Sequence, residues 1–315
     1  MMGAHRPSCA PALTGAGSGG SVGAVKLQMA LVMLAVASAG RAAVGGALED
    51  SPSARWAGMG GAARAAATDA HAGLLNPANL AAQGPVTWQV ASRLSLATLD
   101  RTTGSLAASF QSDRSGTYAV AWVHRATAGL ERVDDQGNLS GTESSSEDAL
   151  AVSGGWAPLY RVRAGITAKL LHHALMGYAG TGGAVDAGVT LLPWLGTDLV
   201  LALTGENLAG AVHWDTGAAD VPARALAVGA GWRTWRERIL VTSDAVQRQA
   251  RAGVELHGGA EVWPVPMAAV RAGWDNGRLA AGASYRLKPY EFDYAFAFDP
   301  DRLNSRHEVS FQLVF

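Results

Sequence analysis

The sequence predicts an all-β protein: a transmembrane, up-and-down antiparallel β-barrel of about 14 strands, preceded by a small amino-terminal segment that is not a strand. Three observations support this fold class: an alternating apolar segment at the carboxyl end, a composition rich in glycine and poor in charge, and a succession of strand-like segments separated by turn residues. The chain has 315 residues, of which 49% are hydrophobic, 16% are charged and 39 are glycine. A barrel wall needs apolar residues that face lipid and small residues that let strands twist and close.

The carboxyl-terminal segment, residues 306–315, carries the clearest alternation. Its apolar side chains fall on one face of an extended strand and most of its polar side chains on the other. Because an outer-membrane barrel pairs its last strand with its first and turns an apolar face to lipid, this segment is predicted to close the barrel. Outer-membrane lipid and the barrel-assembly machinery are its predicted partners. The edge strand of a soluble β-sandwich is the alternative. The apolar face consists of Val309, Phe311, Leu313 and Phe315.

Residues 1–39 are predicted to be a signal peptide that is cleaved near Ala39. Lys26 precedes a short apolar run, and an Ala-Ser-Ala tripeptide ending at Ala39 has the small-residue pattern of a cleavage site. The apolar run is shorter than the roughly 20 residues that a membrane-spanning helix needs. Cleavage would remove Cys9, the only cysteine, so the exported protein would have no disulfide or thiol chemistry. The predicted destination is the bacterial outer membrane.

Residues 40–85 are predicted to form a compact segment without strands, called the hatch segment here. This segment is rich in glycine and alanine, and its apolar residues lack the period of two that marks a strand. Short helical turns are interrupted at Gly60-Gly61 and at Asn76-Pro77, where the proline disfavours the α conformation of the residue before it. A glycine-rich linker is the alternative interpretation.

Residues 86–315 are predicted to form the barrel. An even number of strands is typical of a bacterial single-chain barrel. The polar faces of the strands carry charge, and unpaired charge is costly in a dry core, so these faces are predicted to line a lumen. The predicted strands span residues 86–96, 104–112, 117–125, 148–157, 161–172, 184–192, 198–206, 224–234, 238–247, 252–263, 267–274, 278–287, 290–298 and 308–315. The candidate lumen residues are Arg163, Lys169, Asp244, Glu255 and Arg286.

The connections between these segments are unequal. Residues 156–161, 263–266 and 275–277 are predicted to be short turns on the periplasmic side, whereas longer external loops are predicted at the polar stretches. These predicted loops are residues 126–147, 207–223 and 299–306. The ten tryptophans lie mostly near segment ends, which predicts aromatic girdles at the two membrane interfaces.

The hatch segment resembles a known family. Gly58-Met59-Gly60-Gly61-Ala62, Asp69 and Asn76-Pro77-Ala78 resemble the amino-terminal segment of the PorV/PorQ family and, more distantly, of the FadL-type outer-membrane transporters. The resemblance implies a hatch folded inside the barrel, with the Asn-Pro-Ala turn near its centre. Leu75 and Asn79 depart from the family pattern, which places in doubt what the hatch touches. The candidate hatch motif consists of Gly58, Gly60, Gly61, Asp69, Asn76, Pro77 and Ala78.

Two transport activities follow from this resemblance, and one further class stays open. FadL-type proteins imply uptake of apolar compounds through a hatch-plugged lumen, whereas PorV implies a role in protein export with components of a type IX secretion system. A non-transporting structural or interaction protein of the envelope is the alternative. In the transport hypothesis the hatch around Asn76-Pro77 blocks the lumen at rest, and the candidate lumen residues hold a ligand by charged hydrogen bonds.

No catalytic constellation supports an enzyme, and no cofactor is expected. His172 and His173 are adjacent, so on a strand their side chains point to opposite faces and cannot chelate one metal ion. The near-neutral formal net charge of −1 gives no argument for nucleic-acid binding. The sequence therefore predicts a membrane transporter or envelope component without a metal site.

Overall fold

The computed structural model describes residues 43–44, 46–83, 88–98, 100–112, 116–133, 136–193, 198–299 and 305–315. The predicted signal peptide, residues 1–39, lies outside the described residues. Among the residues that are described, no helix is both long enough and apolar enough to cross a membrane.

The described residues form a closed antiparallel barrel of 14 strands, which confirms the predicted fold class. The strands are β1 (Ala43–Val44), β2 (Trp88–Ala97), β3 (Arg101–Ser112), β4 (Gly116–Val133), β5 (Leu139–Leu159), β6 (Val162–Leu175), β7 (Tyr178–Leu191), β8 (Leu199–Trp214), β9 (Ala219–Pro222), β10 (Ala225–Thr234), β11 (Ile239–Arg248), β12 (Val254–Val265), β13 (Ala268–Asp275), β14 (Arg278–Leu287), β15 (Tyr290–Phe298) and β16 (Arg306–Val314). Of these, β1 and β9 stand outside the ring: β9 pairs with the end of β8, and β1 pairs parallel with β9.

Each barrel strand pairs with its neighbours in sequence, and β16 closes the ring against β2. The closing register runs from the pair Arg306 and Ala97 to the pair Val314 and Gln89. The structure thus places the predicted closing segment on the strand that pairs with the first barrel strand. Closure leaves no strand edge of the barrel unpaired, which a bilayer requires because lipid offers no hydrogen bonds to backbone groups.

The barrel turns its apolar side chains outward. On β14, Leu279 and Tyr285 are 63% and 49% exposed, whereas Ser284 between them in the alternation is only 6% exposed. On β16, Val309 is 48% exposed and Glu308 is fully buried. A soluble sandwich would bury the apolar face, so this pattern excludes that alternative for the described strands.

The two ends of the barrel differ. The end where β2 begins and β16 finishes, called the terminal end here, carries mostly short turns. At the other end, called the hairpin end, β4 and β5 extend well beyond their neighbours and pair through Val133 and Leu139. Outward-facing aromatic rings follow one another around the terminal end, with centroids 5.3 Å apart for Trp88 and Phe110 and 5.5 Å apart for Phe110 and Tyr118. This arrangement suits a membrane interface.

Three sequence predictions about this wall are wrong. The stretches 126–147 and 207–223 were predicted as loops, but most of their described residues continue as strand, because each neighbouring strand keeps supplying backbone hydrogen bonds. The turn at 276–277 lies at the hairpin end rather than with the short turns, since successive turns of an up-and-down barrel alternate between ends. Trp263 faces the lumen and is only 9% exposed, so it belongs to no girdle. Residues 300–304 of the third predicted loop lie outside the described residues.

The hatch fills the lumen with short helical turns. They are the 3-10 turns Gly46–Leu48 and Pro77–Ala82 and the α-helical turns Ala54–Ala57 and Ala72–Leu75. The side chain of Asn76 caps the amino-terminal end of the turn Pro77–Ala82, because it accepts a hydrogen bond from the backbone nitrogen of Ala78 at 3.1 Å. Trp56, Met59 and Leu80 are fully buried. The packed interior of this protein therefore lies between the hatch and the barrel wall.

Candidate functional site: the hatch and two chambers

The glycines of the hatch motif bring hatch and wall backbones into direct contact. Gly60 has a φ of +67°, and a Cβ placed on it would lie 2.4 Å from the carbonyl oxygen of Trp274. On the wall, a Cβ at Gly273 would lie 2.1 Å from the backbone nitrogen of Gly60. Gly58 approaches Gly282 less closely, with 3.2 Å from an added Cβ to the Cα of Gly282. Glycine is needed on both sides because neither surface has space for a side chain.

The Asn-Pro-Ala turn is held by polar contacts at its first residue. The side-chain nitrogen of Asn76 donates to the carbonyl oxygen of Arg64 at 2.8 Å and to the hydroxyl of Thr190 on β7 at 3.0 Å. Asn79 binds the same two partners, at 2.9 Å each. These asparagines and Thr190 are essentially inaccessible to solvent, so their hydrogen bonds compensate for the burial of polar groups. Asn79 therefore adds a second contact between hatch and wall.

Opposite this turn, wall glycines again make room for the hatch. A Cβ at Gly165 would lie 2.3 Å from the carbonyl carbon of Pro77, and one at Gly188 would lie 2.1 Å from the side-chain oxygen of Asn76. Ala78 is fully buried in the same contact. The Asn-Pro-Ala turn thus rests on a glycine-lined surface of β6 and β7.

Asp69 organises the middle of the hatch. One carboxylate oxygen accepts a hydrogen bond from the indole nitrogen of Trp56 at 2.6 Å, and the other accepts one from the backbone nitrogen of His71 at 2.9 Å. Burial raises the pKa of this carboxyl, and the hydrogen bond from Trp56 and the nearby Arg55 guanidinium oppose that rise. Asp69 therefore acts inside the hatch as an organiser of local structure.

His71 joins the hatch to β3. Its Nε2 atom lies 3.0 Å from the hydroxyl of Ser105, and its ring is fully buried. Burial, together with the nearby Arg93 guanidinium, lowers the pKa of His71 to about 3. His71 is therefore neutral at physiological pH and serves as a polar contact of the hatch rather than as a charge.

Asp50 fastens the beginning of the hatch to the wall at the hairpin end. Its carboxylate oxygens lie 2.7 Å from a guanidinium nitrogen of Arg125 on β4 and 2.5 Å from one of Arg306 on β16. Burial disfavours ionisation of Asp50, but Arg306 and Arg125 outweigh burial and hold the pKa of its carboxyl well below the usual range. Asp50 thus links strands from either side of the barrel seam.

Four of the five candidate lumen residues are already engaged with partners in the protein: Lys169, Asp244, Glu255 and, at the terminal end, Arg286. Lys169 pairs with Asp186 on β7 at 2.7 Å. Asp244 accepts hydrogen bonds from the backbone nitrogens of Ala63 and Arg64 in the hatch, at 2.9 and 3.1 Å. The Lys169 pair joins two wall strands, and Asp244 joins the wall to the hatch. Because both side chains already have partners in the protein, they are less available to a ligand.

Glu255 is the third engaged residue. It pairs with Arg248 at 3.1 Å and with Arg251 at 2.6 Å. It belongs to a charged group at the hairpin end that also includes Glu206 and the hatch residue Arg64.

The hairpin end holds a chamber of about 220 Å³ whose rim is charged, with Asp50, Arg125 and Arg306 among its lining residues. Beside it the inner wall turns apolar. Val123, Leu171 and Val212, on β4, β6 and β8, form a buried cluster against which the hatch residues Leu48 and Leu74 pack. This cluster, called the apolar wall patch here, lies in a lumen whose other inward faces are mainly polar or small.

The terminal end holds a larger chamber of about 720 Å³ between the hatch and the wall, called the vestibule here. The other two candidate lumen residues, Arg163 and Arg286, line it. The guanidinium of Arg286 lies 3.9 Å above the ring of Trp263 and its Nε atom lies 2.7 Å from Glu291. On the hatch side, Arg55 pairs with Glu261 on β12 at 2.6 Å.

Sequence reasoning missed the hatch charges Asp50, Arg55 and Arg64 and the wall residue Glu206, whereas the alternation placed Glu261 in a polar row of the lumen. Glu206 carries a readable signal, because it is an acidic residue at the end of a predicted strand. The hatch charges carry no such signal, because the hatch sequence has no periodicity from which the direction of a side chain could be predicted. No group of residues suited to a metal ion occurs in the described part of the chain.

No protein-family sequence model matches the chain, and no curated protein matches it. Its likeness to solved structures lies in the fold. The toluene transporter TbuX of Ralstonia pickettii has a TM-score of 0.57 and 13% sequence identity, over 84% of this chain and 98% of TbuX. The toluene transporter TodX of Pseudomonas putida has a TM-score of 0.59 and 13% identity, over 82% of this chain and 96% of TodX.

A FadL homologue of Pseudomonas aeruginosa gives a TM-score of 0.60 at 10% identity, over 84% of this chain and 98% of the homologue. The fold and the hatch-filled lumen together define an outer-membrane-type barrel. Its particular fold is FadL-like, so the resemblance to FadL-type transporters is confirmed at the level of fold.

Proposed function

We propose that this chain is an outer-membrane channel that admits small apolar molecules when its hatch moves. The observation that carries the proposal is the apolar wall patch. It is an apolar surface in a mainly polar lumen, and it lies beside the charged chamber of the hairpin end. An apolar molecule that replaced Leu48 and Leu74 against Val123, Leu171 and Val212 would keep those side chains dry, so exchange would cost little hydrophobic free energy.

Two further observations support a channel in the outer membrane. The outward face of the barrel is apolar and bears aromatic rings at the terminal end, as a lipid-facing surface requires. The structurally similar TbuX and TodX are toluene transporters. Export would proceed with cleavage of residues 1–39, and the barrel-assembly machinery would recognise the closing strand β16.

The hatch is the element that would gate this channel. Asn76, Pro77 and Ala78 rest against the wall at Gly165 and Gly188, where no side chain separates the two surfaces. Release of this contact would open a path from the hairpin end to the vestibule. Arg163 and Arg286 are the two candidate lumen residues that would meet a ligand there, because they line the vestibule.

Uptake of radiolabelled toluene by intact Gram-negative cells tests the proposal. Cells that produce the protein should take up toluene faster than cells without it. Replacing Val123 and Val212 by threonine keeps their shape but places hydroxyl groups in the patch, and we expect uptake to fall about tenfold, since a hydroxyl buried without a partner costs roughly 1–3 kcal/mol. Heat-modifiable gel migration would verify that each variant is folded.

The matched control changes Val241 and Val270 to threonine, because both side chains face outward and are 44% and 57% exposed. This control should leave uptake unchanged. Equal uptake with and without the protein would overturn the proposal, and equal effects of the two pairs of substitutions would remove the apolar wall patch from it.

A PorV-type role in protein export is the alternative that the sequence resemblance supports, with secretion-system components as partners. A strain that lacks the gene distinguishes the two roles. Loss of surface-attached proteins with unchanged toluene uptake would favour export, and the reverse pattern would favour apolar uptake. A strain unchanged in both respects would favour a structural or interaction role in the envelope.

A further inference from the structure

We propose that the vestibule at the terminal end binds an organic anion, that is, a carboxylate or phosphate group attached to a small apolar body. This inference goes beyond apolar uptake, because it rests on the cations of the vestibule and not on the apolar wall patch. The vestibule measures about 720 Å³, which is within the usual range of small-molecule sites.

The charge of its lining is strongly unbalanced. Among the described lining residues six side chains are cationic and two are acidic. The cations are Arg55, Arg163, Arg233, Arg238, Arg286 and Lys288, and the acids are Asp198 and Glu237. Partners behind the lining neutralise Arg55 and Arg286, namely Glu261 and Glu291. Four cations then face two acids, so the vestibule keeps an excess of positive charge.

Two of these cations are held inside the barrel without a fixed acceptor. Arg163 on β6 and Arg233 on β10 are partly buried, and in the described part of the chain neither guanidinium has a hydrogen bond or an ion pair within 4.0 Å. Elsewhere in the lumen the buried arginines are paired, as Arg271 is with Glu261 at 2.6 Å. A partly buried cation without a partner is costly, and a bound anion would remove that cost.

The geometry also provides a surface for the apolar part of the ligand. The ring of Trp263 is fixed under the guanidinium of Arg286 at 3.9 Å, and Leu240 and Val200 line the same space. An arginine that is already positioned by stacking and by an acidic partner loses little conformational entropy when it contacts a ligand. Planar guanidinium groups suit carboxylate and phosphate oxygens, to which they donate two parallel hydrogen bonds.

Isothermal titration of the purified barrel in a neutral detergent tests this site. Benzoate is the anionic probe, and benzyl alcohol is the uncharged probe of similar shape. We expect benzoate to bind, benzyl alcohol to bind at least about tenfold more weakly, and added salt to weaken only the benzoate interaction. This comparison needs no variant, so it stays decisive even if a substitution impairs folding.

Two substitutions made together locate the site. Arg163→Gln with Arg233→Gln leaves no acid without its partner, because neither arginine is in an ion pair, and should weaken benzoate binding about tenfold or more. Arg224→Gln is the matched control, since Arg224 is an exposed cation at the hairpin end. Unchanged benzoate affinity in the double variant, or equal affinity of the wild-type protein for benzoate and benzyl alcohol, would overturn the proposal.

The anion could be a free molecule or the headgroup of a lipid, and a second titration distinguishes these sources. Micelles of a short-chain phosphatidylglycerol are compared with micelles of the matching phosphatidylcholine. Tighter binding of benzoate than of phosphatidylglycerol supports a free organic anion, and the opposite order supports a lipid headgroup. Binding of neither anion would overturn the proposal, whereas toluene uptake would be unaffected by that result.

Discussion

Single residues decide how firmly the hatch is seated, and a substitution of Asp50 tests this most clearly. We predict that Asp50→Asn unseats the start of the hatch, because it leaves the buried guanidiniums of Arg125 and Arg306 without their shared acid. Removing one partner of a buried ion pair typically costs roughly 3–5 kcal/mol. The expected result is frequent opening events in planar bilayers, where the unchanged protein is mostly closed.

Glu143→Gln is the control for this substitution. Glu143 pairs with Arg132 at 3.6 Å on the extended hairpin, and the Arg132 side chain is 65% exposed. An exposed pair of this kind contributes at most about 1 kcal/mol. If both variants opened equally often, the ion pairs of Asp50 would not be what holds the hatch.

His71 makes hatch seating dependent on pH. Its folded-state pKa, about 3, is lower than the ordinary value of 6.5. Above pH of about 6.5 the ring is neutral in either state. Between the two values an unseated hatch binds a proton that the seated hatch excludes, so seating weakens as pH falls, by up to about 1.4 kcal/mol per pH unit.

Planar-bilayer recordings between about pH 7 and about pH 4 measure this effect as a rising open probability. His71→Gln should flatten the rise, because glutamine does not titrate but keeps a polar group near Ser105. His172→Gln is the control, since that ring is exposed on the outer face of β6. An unchanged rise in the His71 variant would assign the acid response to other titratable groups.

At the scale of elements, the contact between hatch and wall depends on paired glycines. We predict that Gly273→Ala displaces the hatch, because its Cβ would lie 2.1 Å from the backbone nitrogen of Gly60 and 2.3 Å from the carbonyl carbon of Met59. Gly258→Ala on the adjacent strand β12 is the control, since its Cβ would have 3.9 Å to the nearest atom. Limited proteolysis within residues 46–83 should cleave the first variant faster than the second. Equal cleavage rates would show that the wall tolerates a side chain there.

The elements also show where sequence reasoning succeeds. Alternation located every barrel strand, because one face meets an apolar surrounding and the other meets the hatch and its polar partners. It placed the end of β4 too early and the start of β5 too late, since polar residues continue a strand whenever the neighbouring strand supplies hydrogen bonds. The Asn-Pro turn of the hatch was readable from proline geometry, but its contact with Thr190 was not, because that contact joins residues 114 positions apart.

At the scale of the whole molecule, the barrel reverses the usual arrangement of a soluble protein. Large apolar side chains face outward, and the interior holds a hatch whose charges are matched by the wall. Composition indicated this arrangement, because a chain with 49% hydrophobic and 16% charged residues has enough apolar side chains to cover a lipid-facing surface. The positive vestibule was only partly visible from sequence, since Arg163 and Arg286 were recognised as lumen residues while the hatch residue Arg55 was not.

The orientation of the barrel wall is measured most directly by oxygen accessibility of nitroxide labels placed one at a time along residues 279–285 of β14, with the protein in lipid bilayers. The account predicts a period of two, with high accessibility at Leu279, Ala281, Ala283 and Tyr285 and low accessibility at the three positions between them. High accessibility at the intervening positions, or no alternation along the strand, would contradict a closed cylinder whose apolar face meets lipid.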